Sequence, residues 1–208
     1  MDSGYPRDLA GYGAHPPHPQ WPNNAKIAVQ FVINFEEGGE NCVLHGDPAS
    51  EAFLSEIVGA QAYQGVRHPS MESIYEYGAR AGVWRLIRTF EERELNYTVF
   101  CVGMALERNP DPVLKMKALG NEIASHGYRW IDYQFVEPDV EQEHILRSIA
   151  AHERVLGERP LGFYQGRTSP NSRRLAAEAG FLYDADSYAD DLPYWDRGVG
   201  DPFLVVPY

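Results

Sequence analysis

The sequence predicts an α/β fold in which parallel strands alternate with helices, and three observations support this class. Residues 27–33 form a near-continuous apolar run, as expected for a strand that is buried on both faces. Shorter apolar runs follow it along the chain, separated by helical patterns that end at glycine. Charged residues stand just after several of these runs, where parallel α/β folds place their active sites.

Two segments of the first third differ from the regular pattern. Residues 1–24 are rich in proline, glycine and histidine without periodicity, which indicates an extended N-terminal arm that wraps the domain or a neighbouring subunit. Residues 35–77 predict a functional lid or a loop that contains short helices. A helix is then predicted over residues 79–94, with four apolar side chains on one face. These side chains are Val83, Trp84, Ile87 and Phe90.

The remaining elements repeat the alternation of strand and helix. Asp139 is predicted to cap one helix, and Ser169, which precedes a proline, is predicted to cap another that ends at Gly180. Because the chain stops after an apolar strand, we expect a barrel that is incomplete at its C-terminus. The predicted strands cover residues 98–102, 122–125, 161–164, 181–184 and 203–206, and further helices cover residues 112–119 and 139–156.

Length and composition exclude several classes of partner. A chain of 208 residues suits one domain with a real core. The net charge of -12 argues against nucleic acid and anionic membranes as partners, because both require a basic surface. Cys42 and Cys101 form neither a metal-type spacing nor a disulfide framework, and the N-terminus has no apolar signal core. We therefore expect a cytoplasmic protein, while the net charge says little about small-molecule substrates.

The candidate catalytic residues follow predicted strands. Glu36 and Glu37 are adjacent carboxylates after the first strand; if both face a pocket, their repulsion raises one pKa and produces a general acid or base. The alternative is a solvated acidic loop. His126 follows the third strand and could polarise a carbonyl or stabilise an oxyanion. Arg167 follows the fourth strand, where a guanidinium could hold a carboxylate or bind a polar substrate.

Residues 34–38 (Asn-Phe-Glu-Glu-Gly) and the stretch from His126 to Trp130 resemble the first two motifs of the polysaccharide deacetylase (NodB-like) family. Those motifs are Thr-Phe-Asp-Asp-Gly and His-x-x-x-His, and the resemblance implies a (β/α) barrel in which one Asp and both His bind a divalent metal. In this sequence both Asp positions are Glu, and Trp130 stands at the second His position. Trp130 cannot bind a metal, so it either packs in the interior or lines the pocket.

A third motif supports the same resemblance. Residues 166–171 (Gly-Arg-Thr-Ser-Pro-Asn) are similar to a family segment whose Arg, here Arg167, orients the catalytic carboxylate. We accordingly divide the chain into the arm, residues 1–24, and a deacetylase-like βα barrel domain, residues 25–208. Residues 190–195 occupy the region of a fourth motif and could border the pocket.

Longer variant motifs are similar to one branch of that family, the cofactor-independent allantoinases. The resemblance implies hydrolysis of the hydantoin ring of allantoin to allantoate in purine catabolism, with no cofactor and with association into homo-oligomers. It also implies a chain that continues well past Tyr208. The segments that carry the resemblance are residues 34–47, 71–78, 125–133 and 166–171.

These observations give a set of expected site residues and two alternatives. We expect catalysis by Glu36, Glu37 and His126, without a choice between the two Glu as base, and substrate binding by Arg167, Trp130, His45 and Glu76. The first alternative is a metal-dependent deacetylase or cyclic imide hydrolase, in which His45 supplies a third ligand beside Glu37 and His126. The second is an inactive truncated fragment. His144 and His152 are expected to be solvated, and Arg173 to lie on the surface.

Overall fold

The computed structural model describes residues 7–208, and within that range seven strands form one sheet. The sheet order is β1-β2-β3-β4-β5-β7-β6, with all neighbours parallel except β6 and β7. The strands are β1 (Val32–Phe35), β2 (Thr98–Cys101), β3 (Glu122–Ser125), β4 (Gly162–Phe163), β5 (Tyr183–Asp184), β6 (Tyr194–Asp196) and β7 (Phe203–Val205).

Helices connect each of the first five strands to the next, as the alternating pattern predicts, whereas β5 leads to β7 through β6. The π-helical turn Gly78–Gly82 joins α1 directly to α2. Short 3₁₀ turns cover Pro22–Asn24, Val43–His45 and Tyr133–Phe135. The α-helices are α1 (Pro69–Tyr77), α2 (Val83–Glu91), α3 (Gly103–Arg108), α4 (Pro110–Ala118), α5 (Pro138–Leu156) and α6 (Ser172–Glu178). In the described part of the chain, no helix combines the length and the apolar character needed to cross a membrane.

The core lies between the sheet and these helices. Strand β2 lies between β1 and β3, and its residues Val99, Phe100 and Cys101 are fully buried. On α2, Val83 and Ile87 are buried against the same cluster, which confirms the predicted apolar face of that helix. The amphipathic helices therefore cover a sheet whose strands carry apolar residues at successive positions, as expected for parallel pairing.

The register of the sheet brings the site residues to one level. The last paired residues of four neighbouring strands lie in one row across the sheet: Phe35, Cys101, Ser125 and Phe163. The strands end at this row, and the chain leaves each of them at the same edge of the sheet. The residues that come directly after β1, β3 and β4 are Glu36, His126 and Tyr164. The carboxyl ends of the strands thus gather these side chains without any long-range adjustment of the backbone.

The first strand is shorter than predicted. It begins at Val32, and Ile27 and Val29 are exposed rather than buried. Strand β2 begins at Thr98, opposite Val32, and the Phe31 carbonyl oxygen accepts the Thr98 amide at 2.9 Å. Residues 27–30 therefore precede the start of the ladder. The apolar run alone could not reveal that its first half lies outside the ladder.

Two predicted helix caps are wrong. Glu137 is the N-cap of α5, so Asp139 lies in the first turn of that helix. Asn171 is the N-cap of α6, while the Ser169 hydroxyl donates to the Glu141 carboxylate, 2.6 Å away, and accepts the Asn171 amide. The competing acceptor Glu141 belongs to α5 and is far away in sequence, which explains why local pattern did not predict this contact. Helix α3 and strand β6 were not predicted.

Part of the predicted arm contacts the domain. The Tyr12 hydroxyl donates to the Pro193 carbonyl oxygen at 2.8 Å, and the described residues before the first 3₁₀ turn are otherwise largely exposed. Residues 1–6 of the arm lie outside the described residues. The division into an arm and a barrel domain stays a prediction.

Candidate active site

A cavity of about 700 Å³ opens at the carboxyl ends of the strands. Its walls combine carboxylates, one imidazole and one guanidinium with aromatic and aliphatic side chains, as is typical of small-molecule sites. The lining residues are Asn34, Glu36, Glu37, Phe53, Leu54, Ile74, Tyr75, His126, Trp130, Tyr164, Gly166, Arg167 and Tyr188. Five of the seven expected site residues are therefore close together: all except His45 and Glu76.

Glu36 and His126, which both line the cavity, are joined by a hydrogen bond. The Nε2 atom of His126 lies 3.0 Å from Oε1 of Glu36. Because an ionised carboxylate can only accept, Nε2 is the donor. His126 is fully buried, and its Nδ1 atom has no hydrogen-bond partner among the described residues. The ring is held edge-on by Tyr164, with a centroid distance of 4.9 Å.

Glu37 is the second carboxyl of the cavity and is held close to the backbone of its neighbours. Burial is the main cause that raises the pKa of Glu37 to about 7, and the nearby charge of Glu36 contributes. Its Oε2 atom accepts the backbone N–H of Glu36 at 3.1 Å. A Cβ atom at Gly78 would lie only 2.1 Å from Oε1 of Glu37, so the absence of a side chain there leaves space for the carboxyl.

Arg167 pairs with a residue that the sequence did not indicate. Its Nη1 atom lies 3.2 Å from Oε2 of Glu51, and its guanidinium carbon lies 4.6 Å from the centre of the Trp130 ring. The resemblance implied that Arg167 orients the catalytic carboxylate; that role is corrected, because its ion-pair partner is Glu51 and not Glu36 or Glu37. Trp130 meets both expectations for it: it is buried, and it lines the cavity.

Glu51 is fixed by four contacts besides its own backbone. Burial raises its pKa, but hydrogen bonds from the Phe53 amide, the Asn41 side chain and the Ala52 amide outweigh burial, so the pKa is lowered overall. The two amide nitrogens lie 2.9 Å from Oε1, and the Asn41 Nδ2 atom lies 2.7 Å from Oε2. Glu51 belongs to the long segment after β1, where no periodicity distinguishes one acidic residue from another.

The structure does not support His45 and Glu76 as substrate-binding residues. His45 contacts the Glu40 carbonyl oxygen at 3.0 Å through Nδ1 and Arg108 at 2.7 Å through Nε2, outside the cavity wall. Burial, followed by the charge of Arg108, lowers the pKa of His45. Glu76 is exposed on α1 beside Arg80. Both follow β1 in the long segment, and its folding directs them away from the site.

The donor set does not fit the divalent metal of the family. Within residues 7–208, no three His, Cys, Asp or Glu side chains are grouped so that they could hold a metal ion. Glu37 and His126 are not joined by His45, and an indole occupies the position of the second histidine. The alternative in which His45 completes a three-ligand metal site with Glu37 and His126 is therefore wrong.

Other residues that were expected to be solvated or on the surface are wholly or partly buried. His152 is fully buried, with Nδ1 2.8 Å from the Ser148 carbonyl oxygen, and is not solvated. Arg173 forms ion pairs of 2.7 Å with Asp184 and with Asp196. Each partner lies on a different strand, so the local sequence around Arg173 gives no sign of them.

Asp186 anchors the turn that precedes Arg167. Its carboxyl oxygens accept the backbone amides of Gln165 at 2.5 Å and Gly166 at 2.7 Å. Burial, and then the charge of Asp184, raise the pKa of Asp186. From the region of the fourth motif, neither Asp190 nor its neighbours line the cavity, which is bordered by Tyr188 instead.

The sequence profile for polysaccharide deacetylases matches residues 64–183, and the shared motifs lie around the cavity. The chain belongs to the polysaccharide deacetylase family. A protein of Schizosaccharomyces pombe named "Putative polysaccharide deacetylase" is 41% identical over 97% of this chain and 65% of its own length. The predicted (β/α) barrel fold of the family is confirmed, with its sheet open between β1 and β6.

Two solved structures are similar to nearly the whole chain. The structure of Puue allantoinase is 58% identical, with a TM-score of 0.95, and the match covers 98% of this chain and 68% of that one. A protein from Pseudomonas aeruginosa PAO1, described as a probable polysaccharide deacetylase, is 60% identical, with a TM-score of 0.95 and coverage of 98% and 69%. The chain thus spans about two thirds of the length of these relatives.

Alanine substitutions at Gly78 and at Gly82 test whether Glu37 occupies the space beside Gly78. Gly78→Ala should destabilise the protein by about 1–3 kcal/mol, because the new methyl group displaces the Glu37 carboxyl. Gly82→Ala, in the same π-helical turn, meets only ordinary contacts with Tyr77 and should stabilise by roughly 0.5–1 kcal/mol. Urea denaturation measures both. Equal stabilisation by the two substitutions would show that Glu37 is not held against Gly78.

The raised pKa of Glu37 predicts a pH-dependent stability difference. The folded state binds this proton more tightly than the unfolded state, whose pKa is near 4.5, so stability from Glu37 is complete below that value and is lost as pH rises through about 7. Glu37→Gln has no ionisable carboxyl at this position, so its stability does not fall for this reason as pH rises. Its unfolding free energy, relative to wild type, should increase by up to about 3 kcal/mol between pH 4.5 and pH 8.5.

The control for this measurement is Glu143→Gln, which replaces an exposed carboxyl on α5. Its unfolding free energy should stay within about 0.5 kcal/mol of wild type at every pH. A difference between Glu37→Gln and wild type that does not change with pH would contradict the burial of an ionisable Glu37.

Proposed function

We propose that the chain carries the active site of a metal-independent allantoinase, which opens the hydantoin ring of allantoin to give allantoate. The observation that carries this proposal is the Glu36–His126 hydrogen bond beside a second, half-buried carboxyl, Glu37. These groups replace a metal centre whose second histidine position is held by Trp130. The 58% identity with the Puue allantoinase structure supports the substrate.

Hydrolysis of a cyclic ureide needs three events: activation of water, stabilisation of a tetrahedral oxyanion and protonation of the leaving nitrogen. The water oxygen forms a bond to the ring carbonyl carbon, and the C–N bond of the ring then breaks. A carboxyl with a pKa of about 7 exists in both protonation states near neutral pH. We assign proton transfer to Glu37, which takes a proton from the water and returns one to the leaving nitrogen.

Glu36 and His126 act as a pair in this scheme. The Glu36 carboxylate fixes the imidazole orientation through Nε2, and its position on the cavity wall allows it to accept a hydrogen bond from the attacking water. Arg167 also lines the cavity, and its guanidinium has five N–H donors, of which the contact with Glu51 uses one. The remaining donors are suited to the developing oxyanion.

The cavity has a size that suits a small heterocycle. Its volume of about 700 Å³ falls within the ~300–1,000 Å³ of ordinary small-molecule sites. Phe53 and Trp130 form an apolar wall with ring centroids 5.6 Å apart, and a planar five-membered ring could pack against it. The Arg167 guanidinium lies beside the same two rings, where it would then contact a ring carbonyl.

The test is to incubate chelator-treated protein with allantoin and to follow the formation of allantoate. We expect turnover by the wild type, and losses of about 10²–10⁴-fold in kcat for Glu36→Gln, Glu37→Gln and His126→Asn. Circular dichroism establishes that each variant is folded, and Glu143→Gln serves as the control with wild-type activity.

Two results would contradict the proposal. One is full activity in all three variants, since the chemistry would then lie elsewhere. The other is a chelator-treated protein that is inactive towards allantoin but releases acetate from an N-acetylated glucosamine oligomer after zinc is added. That result would favour the metal-dependent deacetylase reaction.

A further inference from the structure

The ion pair between Glu51 and Arg167 neutralises a cation on the cavity wall. Arg167 is the one arginine that lines the cavity within the described residues, and an unpaired guanidinium there would attract any carboxylate. Ring opening converts a neutral cyclic ureide into an anion. A bare cation in the site would therefore bind the product more tightly than the substrate, and product release would be slow.

The surroundings of Glu51 hold its negative charge against the guanidinium. Its side chain is only 5% exposed, and the Arg167 side chain is 26% exposed, so the pair is partly shielded from water. Partial burial strengthens their attraction relative to a surface ion pair. The Ala52 and Phe53 amides donate to Oε1 of Glu51 and the Asn41 side chain donates to Oε2, so both carboxylate oxygens are held.

The aromatic residues limit where the guanidinium can move. Its central carbon lies 4.6 Å from the centre of the Trp130 ring and 5.5 Å from the centre of the Phe53 ring. Phe53 follows Glu51 by two residues, so the same short segment supplies both the counter-ion and one of the two rings. Arg167 is thus fixed in place as a hydrogen-bond donor, and Glu51 neutralises its positive charge.

We propose that Glu51 is a specificity-determining residue, which masks the charge of Arg167 so that the cavity prefers a neutral cyclic ureide to its ring-opened carboxylate. This inference rests on the proposed function, since it names the charge state of the substrate and product of that site. With Glu51 in place, a carboxylate entering the cavity meets Glu36 and Glu37 and no uncompensated cation. Without it, the guanidinium is free to form a bidentate pair with the product.

The experiment compares the binding of two probes of similar size by calorimetry. Hydantoin is a neutral cyclic ureide, and N-carbamoylglycine is the anion that results from opening its ring. In Glu51→Gln, we expect N-carbamoylglycine to bind about tenfold more tightly than to wild type, and hydantoin to bind equally or a few-fold more weakly. With allantoin as substrate, product inhibition by allantoate should increase to a similar extent.

A second variant separates charge masking from a purely structural role. If Glu51 only holds its loop in place, Glu51→Gln weakens the binding of both probes together, and that result would overturn the proposal, as would unchanged binding of both. The double variant Glu51→Gln/Arg167→Gln should lose the gain in anion affinity, because the exposed cation is then absent. If the double variant still binds N-carbamoylglycine more tightly than the wild type does, that result would also contradict the proposal.

Failure of the allantoinase reaction and failure of charge masking give different results. If the wild type neither binds hydantoin nor hydrolyses allantoin, the proposed function fails. The affinity of Glu51→Gln for N-carbamoylglycine still reports on the masking of Arg167, because it requires no turnover.

Discussion

The hydrogen bond between the His126 imidazole and the Glu36 carboxylate joins two strands that are not neighbours in the sheet. Strand β2 lies between them, and the register of β1, β2 and β3 brings both residues to the same level above it. The bond therefore depends on the register of three strands: a slip of one residue would turn either side chain to the opposite face. Glu37 follows Glu36 directly and Trp130 follows His126 by four residues, so both reach the same cavity.

The exchange of a metal ligand for an indole changes how such a site can work. A metal activates water through its own charge, whereas a carboxyl must have a pKa near the working pH to accept and return a proton. Burial supplies that property for Glu37, and Gly78 leaves the space that burial requires. The cost is a less stable folded state at high pH, so the chemistry and the stability of the domain are linked through one side chain.

The sequence predicted the parts of the structure that depend on local pattern. Strand β3 and the apolar face of α2 are correct because each pattern is set by neighbouring residues, and Glu36, Glu37, His126, Trp130 and Arg167 meet at one cavity because they follow strands or lie near their ends. Long-range partners were not predictable. Glu51 is one of several acidic residues in a segment without periodicity, and its pairing with a residue 116 positions away exists only in the folded chain.

The proposed mechanism depends on Glu37 being a half-buried carboxyl that exchanges a proton near neutral pH. The most direct measurement is a carbon-13 NMR titration of the protein with labelled glutamate side-chain carboxyls, in which the signal absent from Glu37→Gln is assigned to Glu37. We expect a titration midpoint near pH 7 for that signal. A midpoint near the ordinary value of about 4.5 would contradict this, and would leave the cavity without the proton carrier that the mechanism needs.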